Sequence, residues 1–79
     1  MKSLTEYIAR SIVEHPDEVD VREYRHGSRV TLELQVAKDD MGRVIGKGGR
    51  VANAIRNLLR VTAEREGLQV TLDVVESQP

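Results

Sequence analysis

The sequence predicts an α+β fold of order α-β-β-α-α-β, with a three-stranded mixed sheet covered by helices on one face. Three observations predict it. Val30, Leu32, Leu34 and Val36 alternate strictly with Thr31, Glu33 and Gln35, the period of a half-buried strand. Val51, Ala54, Ile55, Leu58, Leu59 and Thr62 recur at the spacing of one helix face. Between them lies Val44-Ile45-Gly46-Lys47-Gly48-Gly49-Arg50-Val51, a G-x-x-G turn with a cation at its tip.

Taken in order, the first helix is expected from Leu4, Tyr7, Ile8 and Ile12, with Ser3 as its cap and Glu6 completing a capping box. It should stop near His15, because Pro16 disfavours helical geometry in the residue before it. Val19 and Val21 alternate with Asp20 and Arg22 in a first strand reaching about Tyr24, and His26, Gly27 and Ser28 supply hairpin-turn chemistry. After the alternating second strand, Asp39 or Asp40 is expected to cap a short helix through Met41 to Ile45. The glycine turn ends it. A long helix is then predicted from about Arg50 to Glu66, with Arg56, Arg60 and Glu64 as an i, i+4 charged row and Gly67 as its C-terminal stop. Val70, Leu72 and Val74 define one face of the last strand, before a polar tail from about Glu76 to Pro79. The short hairpin makes the first two strands antiparallel, and a two-helix crossover makes the second and third parallel.

With 79 residues the chain is expected to form one domain, whose small core would gain from a second subunit or a ligand. A dimer is therefore expected. No long apolar run or apolar signal core is present and there is no cysteine, which excludes a thiolate nucleophile, a cysteine zinc site and a disulfide framework. A cytoplasmic location is the simplest expectation. The net charge of −1 conceals an asymmetry. Residues 37–60 carry six basic against two acidic residues, a net of +4, and the rest carry six against eleven, a net of −5. That is the pattern of a localised anion site on an acidic body.

The turn is where the chemistry concentrates. Gly46 and Gly49 lack a Cβ, so the backbone there can adopt positive φ and approach another chain closely. Lys47 and Arg50 add charge where a helix begins and amide hydrogens lack partners, which suits a phosphodiester backbone. Other glycine-rich sites fail on spacing. Gly42 is one residue too near Gly46-Lys47 for a P-loop, and Gly48 stands where the magnesium-binding hydroxyl would be. The third glycine comes too early for a dinucleotide fingerprint, and no strand leads into it. His15 and His26 sit at element ends, no metal set emerges, and Asp39-Asp40 and Asp17-Glu18 read as cap and turn. Ser11, Ser28 and Ser77 show no triad spacing to a histidine, so the expectation is a binding protein that is not an enzyme and needs no cofactor or metal.

These residues resemble the KH domain in its bacterial, type II topology, with residues 44–51 in the place of the family's helix-turn-helix signature. The match covers nearly the whole chain, and the length resembles that of the small stand-alone bacterial RNA-binding members. The resemblance implies a groove for about four nucleotides of single-stranded RNA between the central helices and the sheet. It makes Gly46 and Gly49 the fixed glycines and Lys47 and Gly48 the variable pair. Arg50 would meet phosphate with its side chain and amide, with Arg43 approaching from the preceding helix. Ile45, Val51 and Ala54 would form an apolar floor, and the middle strand around Leu34, Gln35 and Val36 would offer backbone groups to base edges. The only aromatics, Tyr7 and Tyr24, fall outside this groove, so recognition without aromatic stacking is expected. The resemblance also implies self-pairing and pairing with a larger, multidomain KH protein. No membrane partner is expected.

Overall fold

The computed structural model of the chain describes residues 1–77; Gln78 and Pro79 of the expected polar tail lie outside the described residues. Helix α1 spans Lys2–Ile12, strand β1 Asp20–His26, strand β2 Arg29–Val36, helix α2 Met41–Ile45, helix α3 Arg50–Arg65 and strand β3 Gln69–Glu76. Short 3-10 turns occupy Pro16–Glu18, Lys38–Asp40 and Lys47–Gly49. The sheet order is β1-β2-β3, with β1 antiparallel and β3 parallel to β2. The expected α-β-β-α-α-β order and mixed sheet are those found.

The alternation in β2 sends Val30, Leu32, Leu34 and Val36 into the core at 0–1% exposure. Val21 from β1, Leu72 from β3, Val44 from α2, and Ile55 and Leu59 from α3 close over them. Each of these large side chains contributes about 1.5–3 kcal/mol on burial. The hairpin turns at Gly27, whose φ of 61° is open to glycine at no steric cost. Gly67 (φ 70°) ends α3 in a Schellman motif: its N–H donates to Glu64 O at 3.1 Å, and Leu68 N–H donates to Ala63 O at 2.8 Å.

Four local expectations are corrected. Helix α1 begins without the Ser3/Glu6 capping box; Thr5 donates both its amide (3.0 Å) and its hydroxyl (2.8 Å) to Met1 O, and the helix stops at Ile12, where Val13 turns extended. Its buried residues are Thr5 and Ala9, whereas Leu4, Tyr7 and Ile12 are exposed and Ile8 sits at the core margin. Of the face expected on α3, Ile55 and Leu59 are buried and Val51 and Thr62 half-buried, whereas Ala54 and Leu58 are exposed and Ala52 and Ala63 turn inward instead. The reason is common to both helices. Small side chains let a helix axis approach the sheet closely, so Thr5 and Ala9 on α1 and Ala52 and Ala63 on α3 take inward positions, with Ile55 and Leu59 filling the space between the two alanines.

Candidate nucleic-acid interface

The glycine turn is built by three left-handed or positive-φ residues, Gly46 (76°), Gly48 (64°) and Gly49 (80°), which reverse the chain between α2 and α3 within one 3-10 turn. Their reasons for being glycine differ. A Cβ on Gly46 would lie 2.6 Å from Val51 Cγ2 and 2.9 Å from Val51 N, so the start of α3 packs directly onto this backbone. A Cβ on Gly48 would meet nothing, and on Gly49 only Asn53 Nδ2 at 3.7 Å; there, positive φ is the constraint. Gly48 is therefore part of the turn's geometry and not a freely variable position.

The turn's own hydrogen bonds decide which amides remain. Gly46 N–H donates to Gly42 O at 2.8 Å, Gly49 N–H to Gly46 O at 3.1 Å, and Arg50 N–H to Lys47 O. The Arg50 amide is thus engaged within the protein, contrary to its expected role towards phosphate. The side chains of Lys47 and Arg50 are exposed, and among the described residues neither is within ion-pair distance of a carboxylate. Ile45 is exposed beside the turn and Val51 is half-buried.

Arg43 behaves differently. Its Nη2 pairs with Glu14 Oε1, and its Nε lies 3.7 Å from Asp40 Oδ1, so its guanidinium, although exposed, is partnered by the protein's own carboxylates. Asp40 anchors this cluster. Its side chain does not cap α2, as the sequence reading expected; it is 1% exposed and reaches back to accept Glu14 N–H at 2.9 Å and His15 N–H at 3.0 Å. Burial by itself would raise its carboxyl, but the two backbone donors, with His15 and Arg43 nearby, outweigh that and hold it below the ordinary 3.8. The carboxylate thereby fastens the segment after α1 to the base of the helix that presents the turn.

The sheet's contribution also moves. Strand β2 is central, with Leu34 paired to Val21 and Val74, and Val36 paired to Glu76. Leu34 and Val36 are fully buried, and β2 has a ladder partner on each side, so these residues have no free edge to offer a base. Gln35 lies on the sheet's other face, where its amide donates to Glu33 Oε1 at 3.2 Å. The strand with a free edge beside α3 is β3, at the end of the sheet order. Ala54 is exposed on α3, one turn beyond Arg50 and Val51 and, by its spacing, on the face that also carries Leu58 and Val61. The structure brings together Ile45, Gly46, Lys47, Gly48, Gly49, Arg50 and Val51, with Ala54 one turn on, and leaves out Arg43, Leu34, Gln35 and Val36.

What the sequence reading missed is the flank of α3 that faces β3. Arg56 crosses to the strand, donating from Nε (3.2 Å) and Nη2 (3.1 Å) to Leu72 O, and from Nη1 to Asn53 Oδ1 at 3.1 Å. Arg60 Nη2 donates to Asn57 Oδ1 at 2.8 Å, and no Arg60–Glu64 pair forms among the described residues. A signal was present in the repeated Asn-x-x-Arg of residues 53–60.

A helix-turn-helix crossing between parallel strands, with a G-x-x-G turn and two exposed cations at its apex, defines a KH domain of type II. Comparison with known proteins agrees: the family model for the KhpA/KhpB KH domain matches residues 2–74. The chain belongs to the KhpA/KhpB family of KH domains. It is 45% identical over 76 residues to the RNA-binding protein KhpA of Halalkalibacterium halodurans, covering 96% of this chain and all of that one. It is 47% identical over 75 residues to that of Clostridium acetobutylicum (95% and 100% covered) and 40% identical over 78 residues to that of Chlamydia muridarum (99% and 100%). No solved structure matches the chain. The KH family is a non-enzymatic binding domain, in keeping with the absence of a catalytic constellation from the sequence reading. Among the described residues no helix is long and apolar enough to cross a membrane.

Proposed function

We propose that this protein binds single-stranded RNA, gripping its backbone at Gly46-Lys47-Gly48-Gly49, and acts without chemistry as an RNA chaperone or post-transcriptional regulator in the cytoplasm. The observation that carries the reading is the turn itself: three glycines at positive φ bring the backbone to the surface beside two cations that have no carboxylate partner among the described residues. The names of the relatives support it, each being an RNA-binding protein. Phosphate needs positive charge without bulk, and the turn supplies the exposed Lys47 and Arg50 side chains beside three glycines. The experiment is a fluorescence-polarisation titration with single-stranded RNA across a salt series. Contacts to about three phosphates give a slope of log affinity against log salt of roughly −2. Absence of binding to any single-stranded RNA at low salt would refute the reading.

A second reading, compatible with the first, is favoured by a separate observation. Helix α3 turns Leu58 (56% exposed) and Val61 (54%) to solvent on one face, and α1 exposes Leu4, Tyr7 and Ile12. In so small a domain these residues support pairing with a second copy, or with a larger multidomain KH protein of the KhpB kind. Light scattering tests self-pairing, and a strict monomer that recovers no KH partner would count against it.

A further inference from the structure

We propose that the helix-free face of the sheet carries a second single-stranded RNA contact at its hairpin end, where a base stacks on Tyr24 and the adjoining phosphate meets Arg29. It rests on the RNA-binding reading above and lies on the side of the sheet away from the glycine turn. Strand alternation sends Val21, Val30, Leu32 and Leu72 under the helices, and the residues between them point the other way, where they are exposed or half-buried. Pairing across the three strands sets Tyr24, Thr31 and Thr71 abreast on that face, with His26, Arg29 and Gln69 as the next row towards the hairpin. Arg29 is the diagonal neighbour of Tyr24, a separation of about 7–8 Å that long side chains span. Tyr24 is 52% exposed, and among the described residues it is the one large apolar or aromatic side chain so exposed on this face. Its row is completed by threonines, short side chains that leave room for a base beside the ring.

The charge of the body is locally reversed here. Outside residues 37–60 the chain is acidic, yet residues 22–29 hold Arg22, Arg25 and Arg29 against the single carboxylate of Glu23. Among the described residues neither Arg25 nor Arg29 is within ion-pair distance of a carboxylate. Neutral oxygens steady them instead: Arg25 Nε donates to Gly27 O at 3.3 Å, and Arg29 Nη2 to Gln69 Oε1 at 3.4 Å. Holding a long side chain through an amide removes part of the entropy lost on binding and leaves its full charge for a ligand. Arg22 stands beside the Tyr24 hydroxyl and 3.5 Å from Asp20 Oδ2, an exposed pair of the kind that contributes little. The carboxylates of this face, Asp20, Glu33 and Asp73, lie in the rows beyond Tyr24, so an anionic strand is turned towards Arg29 and the hairpin.

An exposed ring with guanidinium groups around it serves both parts of a nucleotide, the base by stacking and the phosphate by paired donation. A protein partner is a poorer match. The cores of protein interfaces are apolar and depleted of charge, whereas the rows at the hairpin end supply threonine, histidine, glutamine and arginine. Val75, the one aliphatic residue on this face among those described, lies in the far row with Asp20 and Gln35. The domain thereby has two nucleic-acid contacts on opposite sides. The turn, in the helical layer, grips backbone, and the sheet stacks a base. Two segments of RNA held by one small domain are brought close together, as strand annealing requires.

The test uses the protein's own fluorescence. The chain has two tyrosines and no tryptophan, so Tyr7→Phe leaves Tyr24 as the reporter and Tyr24→Phe leaves Tyr7. Adding oligouridine should quench Tyr7→Phe strongly, whereas Tyr24→Phe should lose only the light that the RNA itself absorbs. Lys47→Ala combined with Tyr7→Phe should keep the quenching, displaced to higher RNA concentration. In polarisation titrations with labelled oligouridine, Tyr24→Leu should bind about fivefold or more weakly than the unaltered protein, and more weakly than Tyr24→Phe, which keeps the ring. Arg29→Gln should lose about 0.7 from the magnitude of the salt slope, with Arg10→Gln on α1 unchanged, and thermal melts establish that each variant is folded. Equal losses of light in the two single tyrosine variants would overturn the contact. So would quenching that vanishes with Lys47→Ala, which would make Tyr24 a bystander of the turn. Unchanged RNA affinity in Tyr24→Leu with altered self-pairing in light scattering would assign the face to a protein instead. If Lys47→Ala weakens binding while Tyr24→Leu and Arg29→Gln do not, only the sheet contact fails; if the unaltered protein does not bind, the RNA reading fails with it.

Discussion

Gly46 and Val51 are in direct contact across the turn: a Cβ on Gly46 would lie 2.6 Å from Val51 Cγ2. The first turn of α3 is seated on bare backbone, and this contact fixes the angle at which the turn is presented. Gly46→Ala should therefore destabilise the fold by about 1–3 kcal/mol, the usual range for overpacking, and distort the turn as well. Gly48→Ala meets no neighbour and should lose only about 1–2 kcal/mol, the strain of a left-handed residue. Urea unfolding of both variants checks the order.

Lys47 should act on binding alone. Its side chain is exposed and has no carboxylate partner among the described residues, so Lys47→Ala is expected to leave the melting curve nearly unchanged. RNA affinity should fall roughly tenfold, the worth of one charge-assisted hydrogen bond. Equal loss of melting temperature and affinity would mean that the lysine holds the turn together instead.

Asp40 gives the fold an acid-sensitive fastening. Its carboxyl titrates below the 3.8 of the unfolded chain, so its contribution is fully present above about that pH and is lost as the pH falls through the lower folded value. Asp40→Asn should lower stability at neutral pH and flatten the acid limb of a plot of urea midpoint against pH. The same slope in both proteins would show that other carboxylates govern acid unfolding.

Leu58→Glu addresses self-pairing. Leu58 is exposed on α3, so within one chain the change should matter by less than about 0.5 kcal/mol. Light scattering should show a dimer of the unaltered protein reduced to a monomer. A dimer that persists in the variant would place its interface elsewhere.

Much of this was legible in the sequence, and the exceptions have physical causes. The order of elements followed from period alone, because β2 alternates without a break and the helix after the turn keeps one spacing to Gly67. Which helix face is inward was misjudged. Apolarity ranked Leu4 and Leu58 above Thr5 and Ala52, but where a helix comes closest to the sheet a small side chain takes the inward position, with Ile55 and Leu59 inward between Ala52 and Ala63. In the site, residues 45–51 could be read because their signal is local. The partners of Asp40 are 25 and 26 residues away, and Arg56 reaches a carbonyl 16 residues on, so neither role shows in local spacing. The middle strand was placed opposite the turn because β2 has the clearest strand pattern, and a pattern does not show which strand has a neighbour on each side. Only the sheet order makes β3 the one with a free edge beside α3.

The central claim is that unpaired RNA lies against the turn of residues 46–49. Amide chemical-shift mapping of the isotope-labelled protein during titration with a short single-stranded RNA tests it most directly. The largest changes should fall at Lys47, Gly48 and Arg50, with the open-face residues Glu33 and Gln35 unmoved. A protein that binds the RNA while the turn's amides stay still, and the open face shifts instead, would contradict it.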